Sequence, residues 1–251
     1  MDVPTPPRGR PRAIPDLPDL PSLYQPVPLR EGADALARAV ALAPSRGAGV
    51  LCWTRSLTRL EAAAVLEPDR PLRAARPAAL AGALAMAEAL VAHAPPEIPV
   101  AIRWPARLAV NLAAVGDCRL VAPPGAEERA VPDWLVLGVE VRLAFPPGRD
   151  PGLTPEITSL EEEGFGTLAA NDLLAAWARY LMAALYDWTA DGLPALAERY
   201  LARLEAEDGS LPEGTAGRRL DAVTGDLVLP GGERRPLRDA LMAGAEAAVA
   251  S

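Results

Sequence analysis

The stretch Arg103-Trp104-Pro105-Ala106-Arg107-Leu108-Ala109-Val110-Asn111-Leu112-Ala113-Ala114-Val115-Gly116 decides how this chain is read. It falls among short runs of β-branched and aromatic residues bounded by turn formers. Residues 98–104, 108–112 and 118–122 are therefore expected as strands, followed by a longer one over 134–145. Its cations are arginines, as are all 25 basic residues of the 251. A guanidinium keeps its charge and can grip carboxylate or phosphate. It cannot serve as a general base or form a Schiff base, so lysine-dependent chemistry is excluded.

Working outward, residues 1–22 are rich in Pro and Arg and are expected to run as an extended arm, with Leu20, Leu23 and Tyr24 as docking points. Leu36, Ala39, Val40 and Ala43 recur at helical spacing and predict a helix over 34–43. Residues 47–53 and 60–66 read as two strands joined around 56–58. Gly47-Ala48-Gly49 precedes a strand instead of linking a strand to a helix, which argues against a dinucleotide loop. An alanine-rich helix over 72–94 ends at Pro95-Pro96 and is expected to lie across a sheet.

Further on, Leu174, Trp177, Leu181, Leu185 and Trp188 form a broad apolar stripe on a helix over 171–189. Ser159 and Glu162 have capping-box spacing for a short helix before it, with Glu161, Glu162 and Glu163 in a solvated first turn. A helix over 193–205 and a Gly- and acid-rich linker over 207–217 follow. Short strands over 218–223, 226–229 and 234–237 turn at Thr224-Gly225 and Gly231-Gly232. The expected units are thus an arm (1–22), a main domain (23–206) and a small β domain with a terminal helix (207–251).

Composition removes whole classes of function. A formal net charge of −8 opposes a nucleic-acid surface, which needs a basic stripe. No signal-peptide core or uninterrupted apolar run of about 20 residues is present, so a soluble cytoplasmic protein without membrane partners is expected. Cys52 and Cys118, far apart, read as buried thiols. His93, the single histidine, sits at a helix end and reads as a C-terminal cap. With no Cys-x-x-Cys, second histidine or Gly-x-Ser-x-Gly turn, no metal site or serine hydrolase is expected. Glu127-Glu128 lies in a polar loop and reads as solvated surface.

Several segments together resemble the biotin and lipoate protein ligase family: the helix after Leu29-Arg30-Glu31, the hairpin over 53–68, residues 103–116, residues 131–143, and Thr158-Ser159-Leu160-Glu161-Glu162-Glu163-Gly164. The resemblance spans roughly residues 23–240. It implies an α+β fold, a mixed β-sheet backed by helices, with a small C-terminal SH3-like β domain. It also implies a cleft where a carboxylic acid such as biotin or lipoate meets ATP, forms an acyl-adenylate, and passes the acyl group to a lysine of a carrier protein.

The departures from that pattern are chemical. Where the family has a glycine-rich basic loop, this chain passes from Trp53 through Thr54, Arg55 and Arg59 into the next strand. Of Lys-Trp-Pro-Asn-Asp, only Trp104 and Pro105 are kept, behind Arg103, and Ala106 and Arg107 stand at the last two places. The family's second lysine falls at Ala113 or Ala114. Loss of one preorganised donor costs about 100- to 1,000-fold in rate. The expectation is a divergent homologue that binds a small carboxylic acid, its adenylate or a biotinyl or lipoyl carrier domain, with weak or lost ligase activity. The candidate ligand-binding residues are Arg55, Arg59, Arg103, Trp104, Pro105, Asn111, Gly116 and Gly138, with Arg107 and Arg119 as further cations; no catalytic residue is assigned. Arg103 is expected to grip the anion, Trp104 to wall the acyl part and Gly138 to admit close approach. Two alternatives stand beside this one. The first is an active ligase using ATP and biotin or lipoate with arginine in place of lysine. The second is an interaction module, such as a homodimer formed through the long strand or the C-terminal unit.

Overall fold

A computed structural model describes residues 17–146, 148, 154–206, 208–212 and 214–249. Most of the expected N-terminal arm lies outside them. Seven strands form one sheet: β1 (Gln25–Leu29), β2 (Val50–Thr54), β3 (Arg59–Leu66), β4 (Val100–Arg103), β5 (Arg107–Val110), β6 (Ala113–Val121) and β7 (Leu135–Arg142). Their order is β1-β2-β3-β7-β6-β5-β4, with β1 parallel to β2 and the other neighbours antiparallel. This is the mixed sheet expected from the sequence. The long strand β7 is interior, with β3 and β6 on its two edges, so it has no free edge for a partner.

Alternation along the strands splits the core into two layers. Leu51, Trp53, Leu60, Ala62, Leu137 and Val139 face the larger layer, beneath α3 (Ala78–His93) and α4 (Ala170–Asp191). Val50, Cys52, Ala63, Val65 and Val136 face the other side, where α1 (Ala35–Arg46) covers them with a stripe of Ala35, Ala39 and Ala43. The stripe of small side chains lets the helix lie close to the sheet. α1 starts at Asp34, whose carboxylate accepts from the Ala37 N–H at 2.8 Å, and ends at Gly47 with φ of 70°. α1 covers only part of this face, and the remainder is open.

The helix expected over 72–94 is two: α2 (Leu72–Ala75) and α3, broken at Pro77, which lacks an N–H and caps the second. The stretch Leu72–His93 is apolar and long enough to cross a bilayer by composition. However, 78 % of that window is buried inside the fold, as fits a core helix. His93 Nδ1 donates to Ala89 O at 2.8 Å, in keeping with a helix-end role. Both cysteines are free and buried; burial pushes Cys52 up to about 11 and Cys118 well above the usual thiol range.

The short helix expected after Ser159 does not form. Ser159 Oγ still accepts from the Glu162 N–H at 3.4 Å, but Gly164 and Gly166, both with positive φ, divert the chain into turns. Glu161 and Glu162 are exposed, whereas Glu163 accepts from the Thr158 hydroxyl at 2.7 Å. β1 was not among the expected strands. Gln25 donates to Gly49 O, so alternation places Pro26 and Pro28 where an N–H would point away from the sheet. Two prolines on an outer edge cost no ladder bonds and discourage edge-to-edge pairing. Tyr24 docks as expected, donating to Ala178 O at 3.0 Å, whereas Leu23 is exposed.

At the other edge, β4 is covered by the chain leaving α5 (Leu193–Leu201). Ile102 N–H donates to Arg203 O at 2.8 Å, and Ile102 O accepts from the Glu205 N–H at 2.9 Å. The C-terminal unit is present as three antiparallel two-residue strands, β8 (Arg219–Leu220), β9 (Leu227–Val228) and β10 (Arg234–Arg235), followed by α6 (Leu237–Val249). Buried Arg218 joins it to the main body by donating to Glu205 O, Leu201 O and Leu204 O.

Candidate functional site

The open part of the sheet face, beside the N-terminus of α1, holds a cavity of about 260 Å³. Its lining comes from the turn before α1 (Gly32, Ala33, Asp34), from Leu36, and from alternate positions on three adjacent strands: Arg59 and Glu61, Asp117 and Arg119, Gly138 and Glu140. The registers explain the pattern. Glu61 lies directly opposite Glu140, and Glu140 directly opposite Asp117, so three carboxylates form one row across β3, β7 and β6. Like charges in directly opposed positions destabilise a sheet unless countered.

Two arginines supply the counter-charge. Arg119 Nε donates to Asp117 Oδ1 at 2.9 Å, and its Nη2 lies 3.9 Å from Glu140 Oε2. From the other side, Arg59 Nη2 lies 3.5 Å from Glu61 Oε2 and its Nη1 3.8 Å from Glu140 Oε1. Glu140 thus stands between two guanidinium groups without a hydrogen bond to either. Glu61 Oε1 accepts the Ala35 N–H at 2.8 Å, at the first residue of α1. A helix N-terminus is ordinarily a ready anion site, and here the protein's own carboxylate fills it. Burial raises the Glu61 carboxyl above its usual range. The Ala35 N–H and Arg59 pull it down, while Glu140 and Asp34 push it further up. Burial opposes the charge on Arg119, but the hydrogen bond and charge of Asp117, with Glu140 and Asp34, leave that guanidinium more firmly protonated than usual.

Of the residues singled out in the sequence, Arg59, Arg119 and Gly138 meet in this cavity; the others lie elsewhere. Arg55 is exposed on the turn after β2, and Arg107 is exposed at the start of β5. The Arg103 side chain donates to Glu205 Oε2 at 2.7 Å and to Leu112 O. Trp104 packs against the main core and edge-on to Tyr200, ring centroids 6.3 Å apart, while Tyr200 donates to Pro105 O at 2.7 Å. Asn111, with φ of 50°, sits exposed at the tip of the β5–β6 hairpin. Gly116 packs under β7, where a Cβ would come 2.0 Å from Glu140 O. The sequence reading passed over Asp34, Glu61, Asp117 and Glu140. Their signal was there: Arg59-x-Glu61, Asp117-x-Arg119 and Gly138-x-Glu140 place charges or a gap at period two inside apolar strands.

A mixed seven-stranded sheet with this helix arrangement and an open-face cavity defines a biotin protein ligase fold. The chain matches the Biotin/lipoate A/B protein ligase family over residues 20–202, and it belongs to that family. Among solved structures, a biotin protein ligase-like protein of unknown function from Silicibacter sp. is similar at 28 % identity and a TM-score of 0.74, over 89 % of this chain and 98 % of that one. The biotin protein ligase of Aquifex aeolicus, in complex with biotin and ATP, is similar at 14 % identity and a TM-score of 0.61, over 83 % and 94 % of the two chains. That of Leishmania major, in complex with biotin, is similar at 16 % identity and a TM-score of 0.54, over 84 % and 97 %. No curated protein sequence matches the chain.

Proposed function

We propose that this chain is a non-adenylating member of its family, which keeps a small-molecule cavity on the open sheet face and binds a ligand there without acyl transfer. The observation that carries this reading is the state of the cavity's cations. Arg59 and Arg119 are already engaged by Glu61, Asp117 and Glu140. The α1 N-terminus is likewise taken by Glu61.

Adenylation brings a carboxylate and a polyphosphate together and needs uncommitted positive charge to hold them. This lining offers four carboxylates (Asp34, Glu61, Asp117, Glu140) against two guanidinium groups. One carboxylate held about 4 Å from another costs between about 1 kcal/mol in water and about 4 kcal/mol at an effective dielectric of about 20, and the two guanidinium groups offset part of that. Of the ligands expected from the sequence, a free carboxylic acid and its adenylate are therefore the ones this lining opposes. A biotinyl or lipoyl carrier domain, which presents its acyl group on a neutral lysine amide, brings no anion for this lining to oppose. The same balance weighs against an active ligase with arginine in place of lysine, because the arginines in the cavity have no charge to spare.

The test is turnover. Incubation of the full chain with ATP, magnesium and biotin, lipoate or octanoate is expected to release no pyrophosphate above the no-enzyme rate and to form no adenylate. Acid-dependent pyrophosphate release would overturn the proposal.

A further inference from the structure

We infer that the uncovered face of α4 is a docking surface for this chain's own N-terminal segment, residues 1–16, laid from Arg179 towards Asp191. The surface is separate from the cavity, which opens on the opposite face of the sheet.

The described chain begins beside this helix. Arg179 Nη1 donates to Asp19 O at 3.2 Å and lies 3.5 Å from Asp19 Oδ2, Leu20 packs against the main core, and Tyr24 donates to Ala178 O. Leu17, the first described residue, is exposed. Towards the helix N-terminus no open surface follows, because residues 173–178 are all buried. Towards the C-terminus, Met182, Ala183, Tyr186, Thr189 and Ala190 are exposed at helical spacing, with Tyr186 at 72 %. That face carries no charged side chain between Arg179 and the last turn.

The segment fits this face in chemistry and in length. Pro4, Pro6, Pro7, Pro11 and Pro15 favour an extended path, and proline-rich segments dock on aromatic surfaces such as the Tyr186 ring offers. The far end of α4 is acidic: Asp187 and Asp191 lie there, and the last turn holds no basic residue. A helix C-terminus is already the negative end of the dipole, so both acids add to an unfavourable charge. The arginines nearby serve other groups. Arg199 is shared between Asp187 and Glu88, and Arg70 lies over the Trp188 ring while paired with Asp69. Arg8, Arg10 and Arg12 are the cations the segment brings. Twelve residues of helix separate Arg179 from Asp191, about 18 Å. Seven extended residues separate Asp19 from Arg12, about 22 Å. With Asp19 held at Arg179, Ile14 and Pro15 come level with Tyr186, and Arg12 reaches the acidic end. The tether raises the local concentration of the segment to roughly millimolar, so individually weak contacts suffice.

Limited trypsin digestion of the full chain tests this. The chain has no lysine and Arg10 precedes a proline, so within the segment trypsin cuts after Arg8 and Arg12. The cut between Arg12 and Ala13 is timed by intact mass, beside a synthetic peptide of residues 4–20. Docking predicts a cut about tenfold slower in the protein than in the peptide, equivalent to about 1.4 kcal/mol, with the difference shrinking as ionic strength rises. Met182→Ser/Tyr186→Ser should bring the rate to within about threefold of the peptide, with an unchanged melting temperature because both side chains are exposed. Asp191→Asn, an independent variant, should speed the cut by about threefold, as expected for one exposed ion pair. A cut as fast in the parent as in the peptide, or protection that survives both variants, would overturn the inference. Protection that rises with protein concentration, together with a dimer in sedimentation velocity, would assign the face to a second copy and overturn it as well.

Discussion

Replacing Arg103 separates a ligand-gripping residue from a structural one. Arg103 Nε lies 2.7 Å from Glu205 Oε2, and the two side chains are 31 % and 7 % exposed. The other oxygen, Glu205 Oε1, is buried without a hydrogen-bond partner, so Arg103 is the main compensation for that charge. Removing one partner of a buried ion pair typically costs about 3–5 kcal/mol. Because Arg103 is nearly a third open, water recovers part of this, and about 2 kcal/mol is expected for Arg103→Ala. For a chain of this size that lowers the melting temperature by about 4–8 °C. Arg103→Ala/Glu205→Gln removes the charge that needed a partner and should regain most of the loss, giving a coupling of about 1 kcal/mol or more in a double-mutant cycle. Thermal unfolding followed by circular dichroism reads all three variants. An Arg103→Ala protein that melts with the parent would refute the structural role.

Two glycines near the cavity should respond very differently to a methyl group. In Gly116→Ala the new Cβ would lie 2.0 Å from Glu140 O and 3.0 Å from Val141 Cα, both backbone atoms of the interior strand. The β6–β7 pair must part, and a loss of about 3 kcal/mol in urea unfolding is expected. In Gly138→Ala the nearest atom is Leu36 Cδ1 at 3.0 Å, the far end of a flexible side chain, so the loss should stay near 1 kcal/mol. In the C-terminal unit, Asp221 accepts from Thr224 N–H, Val223 N–H and Arg234, and these bonds hold its carboxyl down at about 2. A depressed acid stabilises the folded state above its unfolded value of about 4, and that stabilisation is lost as pH falls through about 2. After allowance for its partial exposure the effect is about 1 kcal/mol. Stability of the parent relative to Asp221→Asn should therefore decline between pH 4 and 2; parallel curves would contradict the assignment.

The fold was legible where side-chain chemistry repeats with the period of its element. The apolar stripe Leu174–Trp177–Leu181–Trp188 and the run from Leu135 to Val141 announced α4 and β7, and both lie in the core. β1 was missed because prolines argue against a strand until it is known to be an outer one, a property of the neighbours and not of the segment. β6 was expected to begin at 118 but starts at Ala113. Asn111 and Leu112 both adopt positive φ in the hairpin turn, and leucine carries no signal for that conformation. The candidate site was legible only in part. Arg59, Arg119 and Gly138 were chosen for charge or size, and they converge. Their acidic neighbours two residues away share that face only through the two-residue period of the strands, which no motif of the resemblance marks. Arg103 and Trp104 were placed by motif, and it is α5 and the chain after it, distant in sequence, that pack Tyr200 against Trp104 and draw Arg103 to Glu205.

The central claim is that the cavity's positive charge is already spent within the protein. Equilibrium titration with a non-hydrolysable biotinyl-adenylate analogue tests it most directly, since that ligand presents acyl chain and phosphate-like anion together. The account predicts no saturable binding by the parent chain up to millimolar ligand. Micromolar or tighter binding, displaced by biotin with ATP, would contradict it.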